Sequence, residues 1–255
     1  MVYTSLTEAP HNLKEGIDWL IALKGKNAGK SMEALGDALH KFLADKPVGK
    51  MQVPALENVK KISKEFMEQE EVKDLWPASE LLVRFNKPMN RNLSGFAKFF
   101  NNADLSDHHN VVKIRRVKPT DIAKKVSELV GGCEKFLEKI KVSDKYKSAY
   151  SSEATWDASC ANDPEACAVV FVGIAPMLYT GLRSLKHASN TDPLVRLRLK
   201  KKNNSFARVF KAAGYNETEC RDKISGSDVF KALQKFVSFR MLVTLYDLSG
   251  FWAFY

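Results

Sequence analysis

The sequence is poor in the residues that mark several large protein classes. Its 255 residues include only 13 glycines and 9 prolines, which excludes collagen-like and low-complexity chains. Its 4 cysteines are too few for a small scaffold held together by disulfides. Hydrophobic residues at 45% and charged residues at 27% are instead typical of a globular protein that buries a large core.

Long uncharged runs are also lacking. The longest apolar one extends from Cys167 to Leu182 and is interrupted by Pro176, whereas a membrane span needs roughly 20 apolar residues. We therefore expect a buried central helix here and no transmembrane segment. The first residues, MVYTSLTEAPHNLKEG, lack a basic stretch followed by an apolar run, so we expect a soluble chain without a secretory signal peptide.

The chain has no motif that carries catalysis. The segment GKNAGKS at 25–31 is similar to a phosphate-binding loop, but its glycines are too closely spaced and a helical pattern precedes it. The 5 histidines form no HExxH pair, and no nucleophile elbow or dinucleotide fingerprint is present. The sequence therefore predicts that the protein is not an enzyme and has no catalytic residues, metal site, cofactor or small-molecule substrate.

Apolar residues recur at helical spacing almost throughout the chain. One such stripe contains Leu13, Ile17, Leu20 and Ile21. Residues that commonly start or end helices are also present. Gly25 follows this stripe, Pro54 can open a later helix, and Asp163 precedes a proline as the cap of another. Ser227 is expected to cap one long last helix that extends through Leu245. The pattern predicts an all-α fold, a bundle of about eight to ten helices.

Residues 100–117 are the least regular stretch. They contain a polar segment, NNADLSDHHN, and then VVKIRRV, which we expect to be a short strand or an extended linker. This stretch suggests two packed helical subdomains, residues 1–112 and 113–255, with one continuous domain as the alternative.

Within the later helices, Gly131 and Gly132 predict a bend or break, and Pro176 predicts a kink or a split.

The formal charge of +10 favours an anionic partner. Basic residues concentrate between positions 193 and 211, in a segment without an acidic residue. They are Arg196, Arg198, Lys200, Lys201, Lys202, Arg208 and Lys211. This stripe could bind phosphates or sulfated sugars, or it could be a solvated helix face. The segment KIRRVK at 113–118 is a smaller patch with the same two interpretations.

The cysteines allow two disulfides, one disulfide or four reduced thiols. Cys160 and Cys167 lie close enough in sequence to pair, and so short a loop would contribute about 2.5 kcal/mol of stability. Cys133 would then be left with Cys220, a pairing that spacing alone does not support. Because Cys133 lies on an apolar stripe, a reduced and packed thiol is the alternative for it.

Two segments of the chain resemble a known family. They are SLTEAPHNLKEGIDWLIALKG at 5–25 and YKSAYSSEATWDASCANDPEACAVVFVGIAPMLYTGLRSL at 146–185. Both are similar, in the same order, to the variant erythrocyte surface antigens of piroplasm (Babesia-type) parasites. The resemblance implies export to the surface of the infected red cell, antigenic variation, immune evasion and adhesion to host cells. It also favours the oxidised form of Cys160 and Cys167, but it assigns no binding residues.

The family's larger members end in a transmembrane helix and carry a cysteine-rich region, and neither is visible in this sequence. These departures leave three alternatives: a truncated ectodomain, a short soluble member of the family, or a relative with another role. The leading hypothesis is a helical ectodomain that binds a host cell-surface protein or acidic glycan, with self-association or a related antigen subunit as further partners. The alternative is a cytosolic basic protein that binds nucleic acid or acidic glycans through Arg196 to Lys211. Binding to nucleic acid through that stripe would weaken steeply as salt rises.

Overall fold

The computed structural model describes residues 2–87, 105–190, 192, 205–221 and 224–255. Within these ranges the protein is mostly helical and has no β-strand beyond two isolated bridges, so the all-α prediction is confirmed. The longer helices are α1 (Leu13–Lys24), α2 (Ala28–Ala44), α3 (Pro54–Met67), α4 (Ala78–Asn86), α7 (Pro119–Ile140), α9 (Pro164–Ala188), α11 (Gly226–Phe236) and α12 (Phe239–Leu248). The shorter ones are α5 (Leu105–His108), α6 (Val111–Ile114), α8 (Trp156–Ser159), α10 (Phe206–Ala212) and α13 (Phe251–Phe254).

The core is built around α9. This helix packs against α1, α2, α3, α4, α10, α11 and α12. By length and composition it could cross a membrane, but 89% of its most apolar stretch is buried inside the protein. Side chains such as Phe171 and Leu178 are fully buried, and each contributes about 1.5–3 kcal/mol through burial. The segment predicted to be a buried central helix is therefore the centre of the core.

Helices α3 and α9 approach each other closely at Gly173. A Cβ at this position would lie 2.5 Å from the side chain of Val59, so no larger residue fits without a shift. The Ser63 hydroxyl donates a hydrogen bond of 2.5 Å to the Gly173 carbonyl oxygen across the same contact. Small residues on both helices thus set the distance between them.

The first and second halves of the chain share one core. The largest interfaces join α2 to α7 and α3 to α9, and buried side chains from both halves lie in a single hydrophobic cluster. The boundary considered between residues 112 and 113 falls inside α6. Packing between the halves is therefore extensive.

Several helix boundaries follow the sequence signals. Gly25 ends α1 with a positive φ of 52°, and Pro54 is the first residue of α3. The Asp163 side chain accepts a hydrogen bond of 3.1 Å from the Ala166 N–H and caps α9. These three predictions are confirmed, because each signal acts through local backbone geometry.

The prediction of a strand or extended linker at 111–117 was wrong. Residues 105–108 and 111–114 form the short helices α5 and α6. Asn110 explains the second of them: its side-chain oxygen accepts from the Lys113 N–H, while its amide donates to the carbonyl oxygens of Leu43, Ala44 and Lys46. This one side chain thereby caps α6 and donates hydrogen bonds to the backbone carbonyl groups at the end of α2.

The single last helix predicted from Ser227 to Leu245 is two helices. Ser225, not Ser227, caps α11 through the Asp228 N–H, and Val237 adopts an extended conformation that ends it. Ser238 then caps α12 by accepting from the Met241 N–H. A side-chain acceptor at each start satisfies the first N–H groups, which stabilises two helices in place of one.

The predicted interruptions inside helices do not divide them. Helix α7 continues through Gly131 and Gly132. The missing side chain of Gly132 leaves room for the carbonyl of Phe236 on α11, so the two helices pack closely there. Helix α9 continues through Pro176. An internal proline costs about 3 kcal/mol, and the burial of α9 on several sides offsets that cost.

Candidate functional site

The disulfide predicted between Cys160 and Cys167 is confirmed. It joins the residue after α8 to the first turn of α9, with the two Cα atoms 5.8 Å apart. Both cysteines are fully buried, whereas residues 161–165 between them are exposed. The bond therefore holds an exposed loop against the start of the central helix.

The second disulfide considered, Cys133 to Cys220, does not form. Cys133 is a buried thiol on α7, as its alternative interpretation held, and burial raises its pKa to about 12. Cys220 is also a buried thiol and forms a β-bridge with Lys141 at the far end of α7. Two turns of helix separate Cys133 from that bridge, roughly 12 Å, whereas bridged Cα atoms lie within about 7 Å.

A buried polar network joins the two segments that carry the family resemblance. The Asp18 carboxylate accepts hydrogen bonds from the Tyr146 hydroxyl at 2.6 Å and from the Ala149 N–H at 2.9 Å. Lys14 lies 3.6 Å from the same carboxylate and donates to the Lys147 carbonyl oxygen at 2.7 Å. Burial raises the pKa of Asp18, and these donors partly oppose that shift. The network stabilises the fold and leaves Asp18 little access to a ligand.

Further hydrogen bonds join the N-terminal segment to the residues around 149–159. The N–H of Tyr3 donates to the Ala149 carbonyl oxygen at 2.8 Å, and the Leu6 N–H donates to the Ser159 hydroxyl at 3.0 Å. Nearby, the Trp19 indole donates to the Leu6 carbonyl at 2.8 Å. The two distinctive stretches of sequence therefore meet in the interior and form one packed unit.

Two further buried carboxylates have structural partners. Asp107 on α5 accepts from Arg84 at 2.5 Å and from the Tyr246 hydroxyl at 2.7 Å. Asp247 on α12 accepts from Arg115 at 2.8 Å, and burial raises its pKa. Arg115, one of the two arginines of the predicted KIRRVK patch, thus forms an ion pair within the fold.

The predicted basic stripe is only partly within the described residues. Arg196, Arg198, Lys200, Lys201 and Lys202 lie outside them. The other two members of the stripe are on or beside α10. Arg208 pairs with Glu71 at 3.1 Å, and Lys211 lines a groove of about 780 Å³ that Glu65 and Glu71 also line. The carboxylates beside Arg208 and Lys211 reduce the positive potential there.

A more uniformly basic groove lies between the end of α7 and α11. We call it the α7–α11 groove, and its volume is about 370 Å³. Among the described residues, its cationic lining consists of Lys139, Arg221, Lys231 and Lys235, its carboxylate is Asp228, and its apolar lining is Ile224, Ala232 and Phe236. Among the described residues, no carboxylate lies within 4.0 Å of these four cations.

The sequence alone did not predict this groove, although the spacing of two of its lysines indicated a basic helix face. Lys231 and Lys235 are four residues apart and therefore lie on one face of α11. Lys139 and Arg221 join them only because α11 packs against α7, which no local pattern predicts.

Among the described residues, no three histidine, cysteine, aspartate or glutamate side chains come together as metal ligands. No family model, curated protein or solved structure matches this chain.

Proposed function

We propose that this protein is a disulfide-bonded helical ectodomain of the variant erythrocyte surface antigen type, exported to the surface of the infected red cell. It acts by binding a host cell-surface protein or acidic glycan and has no catalytic turnover. In this role the helical core is a rigid support, and the exposed surface carries recognition and antigenic variation.

The observation that carries the proposal is the disulfide between Cys160 and Cys167. Disulfides persist in oxidising environments and are rare in the cytosol, where thiols are kept reduced. A structural disulfide beside the central helix therefore supports an extracellular location and opposes the cytosolic alternative. The resemblance of residues 5–25 and 146–185 to the antigen family supports the same location.

The placement of ionisable groups supports binding without catalysis. The buried carboxylates of Asp18, Asp107 and Asp247 each accept hydrogen bonds or ion pairs that tie helices together. Surplus positive charge lies at the surface, where it attracts anionic partners from a distance. The chemistry of the described surface is therefore suited to an acidic ligand.

The test is to locate the native protein and determine its thiol state together. Intact infected cells are treated with a membrane-impermeant amine-reactive label, and the protein is then recovered after thiol alkylation and mapped by mass spectrometry without reduction. We expect surface labelling and a peptide pair linked through Cys160 and Cys167. Labelling only after lysis, with both thiols alkylated, would refute the proposal. A cytosolic protein followed in the same sample controls for leakage.

A further inference from the structure

We propose that the α7–α11 groove binds the sulfate groups of a sulfated polysaccharide. The inference rests on the proposed extracellular function, because it selects one ligand class from the acidic partners considered there. Four cations surround a groove of about 370 Å³, a size within the usual range of roughly 300–1,000 Å³ for ligand pockets.

Positive charge predominates in the described lining of the groove. Among the described residues, Lys139, Arg221, Lys231 and Lys235 share the groove with one carboxylate, Asp228. Asp228 accepts hydrogen bonds from the Ser225 N–H at 3.1 Å and from its hydroxyl at 2.6 Å, as part of the cap of α11. These contacts and the nearby Lys231 ammonium lower the pKa of Asp228, so its carboxylate is ionised and offsets part of the positive charge. The cap holds Asp228 at the start of α11, while Lys235 stands two turns further along the helix.

Arg221 is held in place before any ligand binds. The backbone of Arg221 is anchored to α7, since its N–H donates to the Ile140 carbonyl oxygen at 2.9 Å. Its guanidinium also donates to the Glu138 carbonyl oxygen at 3.1 Å, which leaves other N–H groups for a ligand. A guanidinium held in this way loses less entropy when it binds an oxyanion.

The cations of the groove are spaced along two walls. Lys231 and Lys235 stand four residues apart on α11, about 6 Å along the axis. Lys139 stands on the opposite wall, at the end of α7. Cations on two walls at this separation suit a polymer that carries several sulfates on consecutive sugar units, because each sulfate can meet its own cation.

The lining favours a glycan over a nucleic acid. Proteins that bind single-stranded nucleic acid stack successive bases on exposed aromatic rings. Phe236, the aromatic residue of this groove, is half-buried, and the Lys235 ammonium lies 5.4 Å from its ring centroid. Specific duplex binding buries roughly 600–1,000 Å² of protein surface even for a single small module, which calls for a much larger face than this groove.

The test compares the wild-type protein with two double variants that lose the same charge. The groove variant is Lys231→Gln with Lys235→Gln. The control is Lys30→Gln with Lys61→Gln, whose side chains are 71% and 78% exposed on other helices. Each protein is titrated with a size-defined heparin oligosaccharide, its desulfated counterpart and a single-stranded oligonucleotide, at several salt concentrations.

For heparin we expect the groove variant to bind about tenfold more weakly than wild type at low salt, and the control to change by less than about twofold. The slope of log K against log salt should also decrease by roughly one for each cation removed from the groove. Desulfated glycan should bind weakly to all three proteins. Circular dichroism checks that the variants keep their helix content.

Equal losses in the two variants would overturn the inference, because they would indicate attraction to net charge without a site. So would absent heparin binding, or tighter binding of the oligonucleotide at the same salt. These outcomes leave the proposed surface location to be judged by the labelling experiment, so the failure of one proposal is distinguishable from the failure of the other.

Discussion

Opening the Cys160–Cys167 disulfide is expected to lower the free energy of unfolding by about 2.5 kcal/mol. The cysteines are separated by 7 positions in sequence, so the bond closes a loop of about eight residues. Closing such a loop removes roughly 8 cal/mol/K of entropy from the unfolded chain, which is about 2.5 kcal/mol at 25 °C. For a chain of this size, that loss corresponds to a fall in Tm of roughly 5–10 °C.

The assay separates the crosslink from the side chains that form it. Wild-type protein is reduced in denaturant, refolded with a reductant present and melted beside the oxidised protein, with helix content followed by circular dichroism. The double variant Cys160→Ala with Cys167→Ala is melted in the same way. Because both cysteines are fully buried, this variant should be less stable than the reduced wild type by the packing that the sulfur atoms supply.

Equal Tm values for the oxidised and reduced wild type would refute the reasoning. That result would mean that the unfolded chain is already restricted around this loop, or that the folded bond carries a compensating cost. A matched control is Cys133→Ala, which removes a buried thiol without removing a crosslink. Its stability should not depend on the reductant beyond the change seen for wild type.

Three further predictions concern the core. Gly173→Ala should cost about 1–3 kcal/mol in urea unfolding because its Cβ would overlap an α3 side chain, whereas Gly131→Ala, with nothing within 4 Å, should be neutral or stabilising. Arg84→Ala should cost about 3–5 kcal/mol, since Asp107 would keep a buried charge without that cation; a loss below 1 kcal/mol would contradict this. Burial raises the pKa of Cys133 from 9.0 to about 12, so its contribution to stability is complete below pH 9 and is lost as pH rises toward 12. Cys133→Ala should therefore lose stability less steeply than wild type over that interval, and parallel curves would argue against the assignment.

Local signals in the sequence were sufficient for the helical class and for several helix ends. Asp163 caps α9 and Pro54 opens α3 because capping and a fixed proline φ act within one turn of backbone. The Cys160–Cys167 pairing was accessible for a similar reason, since few residues separate the two cysteines. Each of these predictions needed only information from neighbouring positions.

The predictions that failed have two kinds of cause: a local cap that was overlooked, such as Ser238 at the start of α12, and packing between distant parts of the chain. Apolar spacing continues from Leu233 to Leu245 across the break at Val237, so periodicity alone could not reveal two helices. Gly132 resembles a helix breaker in sequence, but it accommodates the carbonyl of Phe236. Its role depends on where α11 packs.

The candidate site was likewise predictable only in part from the sequence. The lysines of α11 could be assigned to one face from their spacing, but their union with Lys139 and Arg221 depends on the packing of α11 against α7. The predicted stripe from Arg196 to Lys202 lies outside the described residues, and that prediction stays a prediction. Arg208 illustrates a second limit, because its partner Glu71 is 137 positions away in sequence and no local pattern predicts the ion pair.

The junction between the N-terminal segment and residues 146–160 has a consequence for biosynthesis. Leu6 and Ser159, which share a hydrogen bond, are 153 positions apart. At a translation rate of roughly 5–20 residues per second, the start of the chain leaves the ribosome some 8–30 s before its partner exists. During that interval Trp19 and its apolar neighbours have no final packing surface, so the emerging polypeptide should be a client for chaperones until mid-chain synthesis is complete.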